Sequence, residues 1–466
     1  MMDLAIPWKP ALEGTEQPLY VSIIKALADD IEHGELAIGT RLPTQRELAD
    51  SLGVALGTIT KAYAEAERRG LIHSQGRRGT FVGIEGTRNS PLSELMDVGA
   101  EMIDLSKNHP TYAEDPDLSQ ALRALARRSE CQTFLQYAPS TGHVRHREAG
   151  ARWFESLGWP VNPDNVVVTA GGQHALLVTL AAVASPGEVI LASEYTYPGL
   201  KSAAAMLGLE LVGVAMDEDG PIPQSIRTVC RLRRVRAMYC NPTLHNPVGY
   251  IMSDDRRRAL AEIARENDFL IIEDEIVRPL VPNPPPFIAS FDPERSLAIL
   301  SASKVIAAGL RVGFIATPPG YRARLIDSLR STLLSPSLLT TELLAGWIAD
   351  GTAADVVVRR RREFEGRLAI ARESFEGLEF NATPHSCHVW LKLPPPWSTT
   401  EFALQAHRHG VAIAPAELFA VNSRQSTVNA ARISLGTTAH RDQLRKGLEL
   451  IARILRSSPF QEATAI

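Results

Sequence analysis

From about Glu101 onward, short apolar runs alternate with longer stretches of helical period. The runs include Val166–Thr169, Val189–Ala192, Phe269–Ile272 and Leu297–Leu300, and two of the helical stretches are Gln173–Ala184 and Asp255–Glu266. Runs this short suit buried strands, and the helices between them supply the crossovers that parallel strands require. The alternation predicts an α/β fold with a mostly parallel sheet flanked by helices on both faces. We place this domain at 101–466, with a large part at about 101–330 and a smaller C-terminal α/β subdomain at about 331–466.

Residues 17–83 follow another regime, dense in helix-period apolar positions, caps and basic side chains. Between the two, residues 84–100 are polar, with Gly86, Asn89, Ser90 and Pro91, and read as a linker. A chain of 466 residues has room for such a division. At 45% hydrophobic and 22% charged, the composition excludes a disordered chain or a fibre. No apolar run approaches the roughly 20 residues that span a bilayer, and the start, with Asp3, lacks a basic-then-apolar leader pattern. A cytoplasmic protein that does not bind membranes is expected. Cys131, Cys230, Cys240 and Cys387 form no C-x-x-C pair, so buried free thiols are expected and no metal site. With a net charge of −4, any nucleic-acid binding must come from a local patch.

A first helix reads from Leu19 to about His33, with Val21, Ile24, Ala28 and Ile31 on one face. Thr44 and Glu47 form a capping box that starts a second helix burying Leu48, Ala49 and Leu52. After a turn at Gly53, a third helix begins near Gly57 or Thr58 and buries Ile59, Ala62, Tyr63 and Ala66. Leu71–His73 and Thr80–Val82 then flank a Gly76-Arg77-Arg78-Gly79 tip as a small hairpin. Two helices about a short turn, followed by a basic hairpin, are laid out as a winged helix-turn-helix. The N-terminal residues of the helix after the turn enter the major groove of double-stranded DNA. Here these are Leu56, Gly57, Thr58, Thr60 and Lys61, while Arg46, Arg77 and Arg78 are placed for phosphates or the minor groove.

The stretch from about Pro18 to Val82 resembles the GntR family of bacterial transcription regulators, most specifically in Gly39-Thr40-Arg41-Leu42-Pro43-Thr44-Gln45-Arg46-Glu47-Leu48-Ala49. That resemblance implies DNA contacts by Arg46, Thr58, Thr60 and Gly79, and by Arg41 in the same motif. Leu56 departs from the pattern, standing where several relatives carry a base-reading arginine.

The large domain carries Ser301-Ala302-Ser303-Lys304 directly after a strand, followed by Gly309-Leu310-Arg311-Val312-Gly313. A desolvated lysine near other cations can form a Schiff base with an aldehyde. Two hydroxyls and an arginine beside it can hold a phosphate. Pyridoxal phosphate offers both groups. The strand–turn–helix element Val166–Ala175, with Gly171, Gly172 and Gln173, presents backbone N–H groups to an anion. Glu273 and Asp274 lie at a strand's carboxyl end, where open α/β sheets bind ligands, and Asp274 can pair with a protonated pyridine nitrogen. Asn246, within Asn241–Gly249, sits in a rigid turn suited to a phenolate oxygen.

From about Ile103 to Ile454 the chain resembles class I/II aminotransferases of pyridoxal phosphate fold type I. By matched motif, Lys304 is implied to hold the aldehyde, Asp274 the ring nitrogen and Asn246 the phenolate oxygen. Gly172, Gln173, Ser301, Ser303 and Arg311 are implied to hold the phosphate, and Tyr197 to stack on the ring. Tyr137 corresponds to a tyrosine reaching the neighbouring subunit's phosphate, and Arg432 to an arginine receiving a ligand carboxylate through a bidentate pair. The tyrosine usual two or three residues after the aspartate is replaced by Ile276 and Val277, which disfavours efficient transamination. His385 and His388 read first as packed, hydrogen-bonded side chains.

A GntR-type reader ahead of such a domain is the arrangement of the MocR subfamily. The resemblance implies a homodimeric, pyridoxal phosphate-dependent regulator that binds an operator and senses an amino acid, amine or vitamer. The alternatives are an active aminotransferase with a fused DNA-binding domain, and a regulator whose cofactor domain serves dimerisation alone.

Overall fold

The computed structural model describes residues 8–10, 19–32, 36, 40–68, 71–74, 79–82, 98–99, 101–422 and 428–457. The chain divides into two compact units, Met1–Val98 and Gly99–Ile466, and each is considered by itself.

In the first unit, helix α1 (Leu19–Glu32) packs on α3 (Leu56–Arg68), and α2 (Gln45–Leu52) packs beside it. The capping box forms as expected: Thr44 Oγ1 accepts from the Glu47 N–H at 3.3 Å, and Glu47 Oε2 accepts from the Thr44 N–H at 2.7 Å. Gly53 ends α2 with φ at 67°, the left-handed conformation that glycine adopts without a Cβ clash. Helix α3 starts at Leu56, slightly earlier than its sequence suggests, and buries Ile59, Ala62, Tyr63 and Ala66. The buried stripe of α1 differs from the expected one. Ile23, Ile24 and Leu27 are buried in the core, Ala28 and Ile31 pack against its edge half-buried, and Val21 is half-buried outside it. The apolar arc of a core-facing helix is wide, so period alone fixes its centre poorly. Leu52 is likewise half-buried. Strands β1 (Ile72–Ser74) and β2 (Thr80–Val82) pair antiparallel. The tip residues Arg77 and Arg78 and nearly all of the linker at 84–100 lie outside the described residues.

The second unit is built on a seven-stranded sheet. Its strands are β4 (Val166–Thr169), β5 (Val189–Ser193), β6 (Glu210–Val214), β7 (Val235–Cys240), β8 (Leu270–Asp274), β9 (Ser296–Ser301) and β10 (Gly313–Ala316), in the order β4-β10-β9-β8-β7-β5-β6. Only β10 runs antiparallel to its neighbours. Alternate strand residues feed two cores. Ile190, Tyr239, Ile272 and Ile299 pack with α4 (Gly172–Val183) on one face, and Leu191, Met238 and Ile271 pack with α5 (Asp254–Glu266) on the other. Helices on both faces of a mostly parallel sheet are what the alternation of runs implied.

A four-stranded antiparallel sheet follows, β11 (Phe380–Asn381), β12 (His388–Lys392), β15 (Ala430–Ser434) and β14 (Ala414–Pro415) in that order. The long helix α6 (Thr352–Ser374) precedes it in the chain. Strand β3 (Ile103–Asp104), at the start of the unit, pairs in parallel with β13 (Val411–Ala412). In the large sheet, β4, β7, β8 and β9 share one direction, so Thr169, Cys240, Asp274 and Ser301 end along the same edge. That edge positions the site.

Candidate functional site

At the end of β9 the chain turns into a short 3₁₀ segment, Ala302–Lys304, with the Ser301 hydroxyl accepting from the Ser303 N–H at 3.3 Å. The Gly172 N–H, at the first turn of α4, donates to the same hydroxyl at 3.2 Å. The Ser301 and Ser303 hydroxyls are 3.2 Å apart, and Arg311 Nη1 donates to Ser303 Oγ at 2.9 Å. Gly171 has φ at 88°, and a β-carbon there would fall 2.8 Å from Arg311 Nη2. Glycine is what lets the guanidinium pass. A helix N-terminus, two hydroxyls and an arginine thus form one continuous cradle suited to an anion.

Lys304 lies beside the cradle. Burial, together with the nearby Arg432 and Arg311, lowers its pKa to about 8, against the pull of Cys387 and Asp274. Its Nζ donates to the Asn108 carbonyl. Asp274, buried at the end of β8, is raised by burial to about 6 and stays largely ionised at neutral pH. Its Oδ2 accepts from the Tyr239 hydroxyl at 2.7 Å and its Oδ1 from the Ile276 N–H at 3.3 Å. Tyr197, half-buried at the head of the helix Pro198–Met206, has its phenol pushed up by burial and then by the Asp274 charge. Gln173 is exposed, and its amide donates to the Gly199 carbonyl at 3.0 Å.

Arg432, on β15, is buried, and burial lowers its pKa to about 10. Nη1 donates to Asn246 Oδ1 at 2.8 Å and Nη2 to the Ser106 carbonyl, while Nε is buried without a partner. The guanidinium lies 4.8 Å over the Phe419 ring. An unpartnered donor on a buried arginine marks a place where an acceptor is wanted. Tyr137 is not brought to this site within its own chain, since it is 84% exposed. Ile276 supplies no hydroxyl; its methyl would lie 3.2 Å from a β-carbon at Gly172, so it packs under the cradle turn.

Several partners escaped the sequence reading. Tyr239 lies on the strand next to Asp274, where the β7–β8 register puts it opposite Ile272 and so on the face Asp274 shares. Asn241 donates from Nδ2 to the Asp274 carbonyl at 2.6 Å and accepts the Asn246 N–H at 2.8 Å, fixing both elements. Cys387 is buried, hydrogen-bonded to the Asn108 side chain, and feels the charges of Lys304 and Arg432. Behind the strand, the fully buried Arg257 of α5 donates to Glu275 Oε1 at 3.0 Å and Thr243 Oγ1 at 2.9 Å, with Glu273 Oε1 at 3.5 Å. Glu273 also accepts the Ile288 and Ala289 N–H groups at 2.9 and 3.0 Å. These two glutamates bracket Asp274 in the chain, so the network anchors the end of β8.

His388 is fully buried, its Nε2 3.2 Å from the His245 carbonyl, and burial holds its pKa at about 3. His385 pairs instead with Glu365 at 3.4 Å. Cys240 and Cys387 are buried, Cys131 and Cys230 half-buried, and all four are free. Among the described residues no cluster suits a metal ion and no helix is long and apolar enough to cross a membrane.

In the first unit, Arg46 is exposed on the first turn of α2 and Thr58 is half-buried on the first turn of α3. Thr60 Oγ1 donates to Gln45 Oε1 at 2.9 Å, so this hydroxyl also locks α3 to α2. Lys61 Nζ lies 4.2 Å from the Tyr20 ring centroid. Arg41 and Gly79 are adjacent: at φ 115°, a β-carbon on Gly79 would fall 2.8 Å from Arg41 Nε.

Residues 19–82 match the gntR family of bacterial regulatory proteins, and residues 100–451 match the aminotransferase class I and II family. The HTH-type transcriptional regulator YdeF of Bacillus subtilis is 31% identical over 96% of this chain and 96% of its own. The HTH-type pyridoxine biosynthesis transcriptional regulator PdxR of Corynebacterium glutamicum is 28% identical, over 75% of this chain and 77% of its own. A multiple substrate aminotransferase from Thermococcus profundus superposes with a TM-score of 0.72 at 24% identity, covering 83% of this chain and 97% of that one. The chain therefore belongs to the MocR-type regulators, in which a GntR DNA-binding domain precedes a domain of the aminotransferase class I and II family.

Proposed function

We propose that the protein is a DNA-binding transcriptional regulator whose aminotransferase-like domain binds pyridoxal phosphate and through it senses an amino acid, amine or vitamer. The observation that carries the reading is a lysine with its pKa lowered to about 8, set between an anion cradle and a buried arginine with a free donor. Bound there, the cofactor supplies an aldehyde that primary amines condense with and a ring that draws electrons. Lys304 is the residue to take the aldehyde. Gly172, Ser301, Ser303 and Arg311 hold the phosphate, with Gln173 at the rim. Asp274, kept anionic by Tyr239, faces the ring nitrogen, Asn246 the phenolate oxygen and Tyr197 the ring face. Arg432 takes a ligand carboxylate.

The exposed Tyr137 fits a two-fold dimer in which it serves the partner's cradle. A dimer presents two readers to paired half-sites, each using Arg41, Arg46, Thr58, Thr60, Lys61, Arg77, Arg78 and Gly79. We assign residues 17–83 to the reader, 84–100 to the linker and the rest to the cofactor domain, and place the protein in the cytoplasm with the DNA it reads.

Two measurements test this reading. Operator duplexes selected from a random pool give the DNA ligand. Arg46→Ala should weaken binding and reduce the salt slope by about two, because the dimer loses one phosphate contact per reader and releases about two counterions fewer. An unchanged slope would remove Arg46 from the interface. For the cofactor site, only the neutral amine attacks an aldehyde. The rate of pyridoxal phosphate capture should rise roughly tenfold from pH 7 to pH 9 and then level off, as Lys304 deprotonates near 8. A rise continuing past pH 10 would mark an ordinary, solvated lysine. Sustained multiple turnover with amino-acid and keto-acid pairs would instead establish an active aminotransferase.

A further inference from the structure

The second unit opens with a strap, residues 103–115, held from three sides. On the first, β3 pairs with β13, the Ile103 N–H donating to the Gly410 carbonyl at 2.9 Å and the Leu105 N–H to Ala412 at 2.8 Å. On the second, the Ser434 N–H donates to the Leu105 carbonyl at 2.8 Å, Thr437 Oγ1 to the Lys107 carbonyl at 2.9 Å, and Arg432 Nη2 to the Ser106 carbonyl. The fit is tight: a β-carbon on Gly436 would fall 1.9 Å from the His109 carbonyl oxygen. On the third, the fully buried Arg360 of α6 donates to the Thr111 carbonyl and to Asp115 Oδ1, both at 2.7 Å, and to the Ile306 carbonyl at 3.0 Å. Ile306 is two residues beyond Lys304, whose own Nζ donates to the Asn108 carbonyl.

One short segment therefore offers backbone acceptors to Lys304 and Arg432, two of the site's cations, and Arg360 ties it to the Lys304 loop. The same segment follows directly on the linker, so it is the covalent path between the cofactor domain and the reader.

We propose that this strap carries the occupancy of the site to the DNA-reading unit, with Arg360 and Asp115 as positioning residues that hold it against the Lys304 loop. The inference rests on the site being a pyridoxal phosphate pocket. Coupling requires contacts that differ between the two states. They are the Ser106 and Asn108 carbonyls. Once Lys304 holds an aldehyde, its nitrogen keeps at most one hydrogen to donate, and Asn108 loses an ammonium donor. A carboxylate on Arg432 shares the guanidinium with Ser106. Both events loosen the strap on the linker side of Thr111, while Arg360 keeps its far end in place.

The test uses the full chain, with and without saturating pyridoxal phosphate, occupancy being read first from visible absorbance. Amide hydrogen exchange over residues 103–111 and affinity for the selected operator are then compared. Cofactor should change both by a factor of about five or more, the usual scale of coupling between sites. Thr437→Val and Asp115→Asn, which leave Lys304 and Arg432 intact, should speed exchange in the cofactor-free protein. They should also shrink the cofactor-dependent difference in operator affinity while binding the cofactor at least as tightly as the parent, since the strap is already loosened; Arg360→Lys should fall between them and the parent. Cofactor binding with no change in exchange at 103–111 would overturn the proposal, as would an undiminished operator response in both variants. Failure to bind the cofactor at all appears in the absorbance, and it sinks the site reading and this inference together.

Discussion

Lys304→Ala should leave a folded, colourless protein that loses pyridoxal phosphate on desalting. On the proposed reading the substitution removes the amine that would take the aldehyde but spares the anion cradle of Gly172, Ser301, Ser303 and Arg311. We expect affinity to weaken by on the order of 100-fold, about 2.7 kcal/mol, and the visible band of the lysine-bound cofactor to vanish. Absorbance titration and equilibrium dialysis measure the two separately. Unaltered colour in the variant would assign the aldehyde to another amine. The size of the effect follows from the surroundings of Lys304, which burial and two arginines keep partly neutral at physiological pH.

Arg257→Ala should strongly destabilise the cofactor domain. Arg257 and both glutamates are fully buried, and Glu275 Oε2 already has no partner. Burial and the Glu275 charge raise the pKa of Glu273, while Arg257 opposes the rise. Without the guanidinium, Glu275 keeps Arg278, whose Nη1 donates to Oε1 at 3.1 Å. Glu273 is left in the interior with its two backbone donors and no facing cation. Breaking a buried pair in this way typically costs about 3–5 kcal/mol. Urea denaturation should show that loss in the cofactor domain, and cofactor binding should fail with it, since Asp274 lies between the two glutamates. Adding Glu273→Gln to Arg257→Ala should recover part of the stability, because it removes the carboxylate that has lost its cation while Glu275 keeps Arg278. If the double variant is no better than the single, the damage comes from lost packing and not from charge.

Arg257 also illustrates where reading by residue stops. In the stretch Asp254–Glu266, dense in arginine and acid, it looks like one more charge on a solvated helix face. It is buried because Glu273, Glu275 and the Pro242 and Pro286 carbonyls, 15 to 29 residues away, converge on it together with the nearby Met252 carbonyl. The same holds for the Tyr239–Asp274 bond, across 35 residues, and the Lys304–Asn108 bond, across 196. Neither pair shares a motif. The centre of the buried face of α1 is set in a related way: Ile24, Ala28 and Ile31 reach the core as their spacing implies, but Ile23 and Leu27 join them because of the surface α1 packs against.

What could be read along the chain is whatever depends on near neighbours. The capping box at Thr44, the left-handed turn at Gly53, the strand periods, and the Ser301–Lys304 hydroxyls beside the lysine are set by spacings of a few residues. Local backbone geometry imposes those spacings, so the motifs announce both the two-part organisation and the chemistry. The charge state of Lys304, the open donor on Arg432 and the strap that meets both come from elements far apart in sequence. Desolvation and hydrogen bonding act over a few ångströms of space, and which groups share that space is settled by how the two sheets and their helices pack.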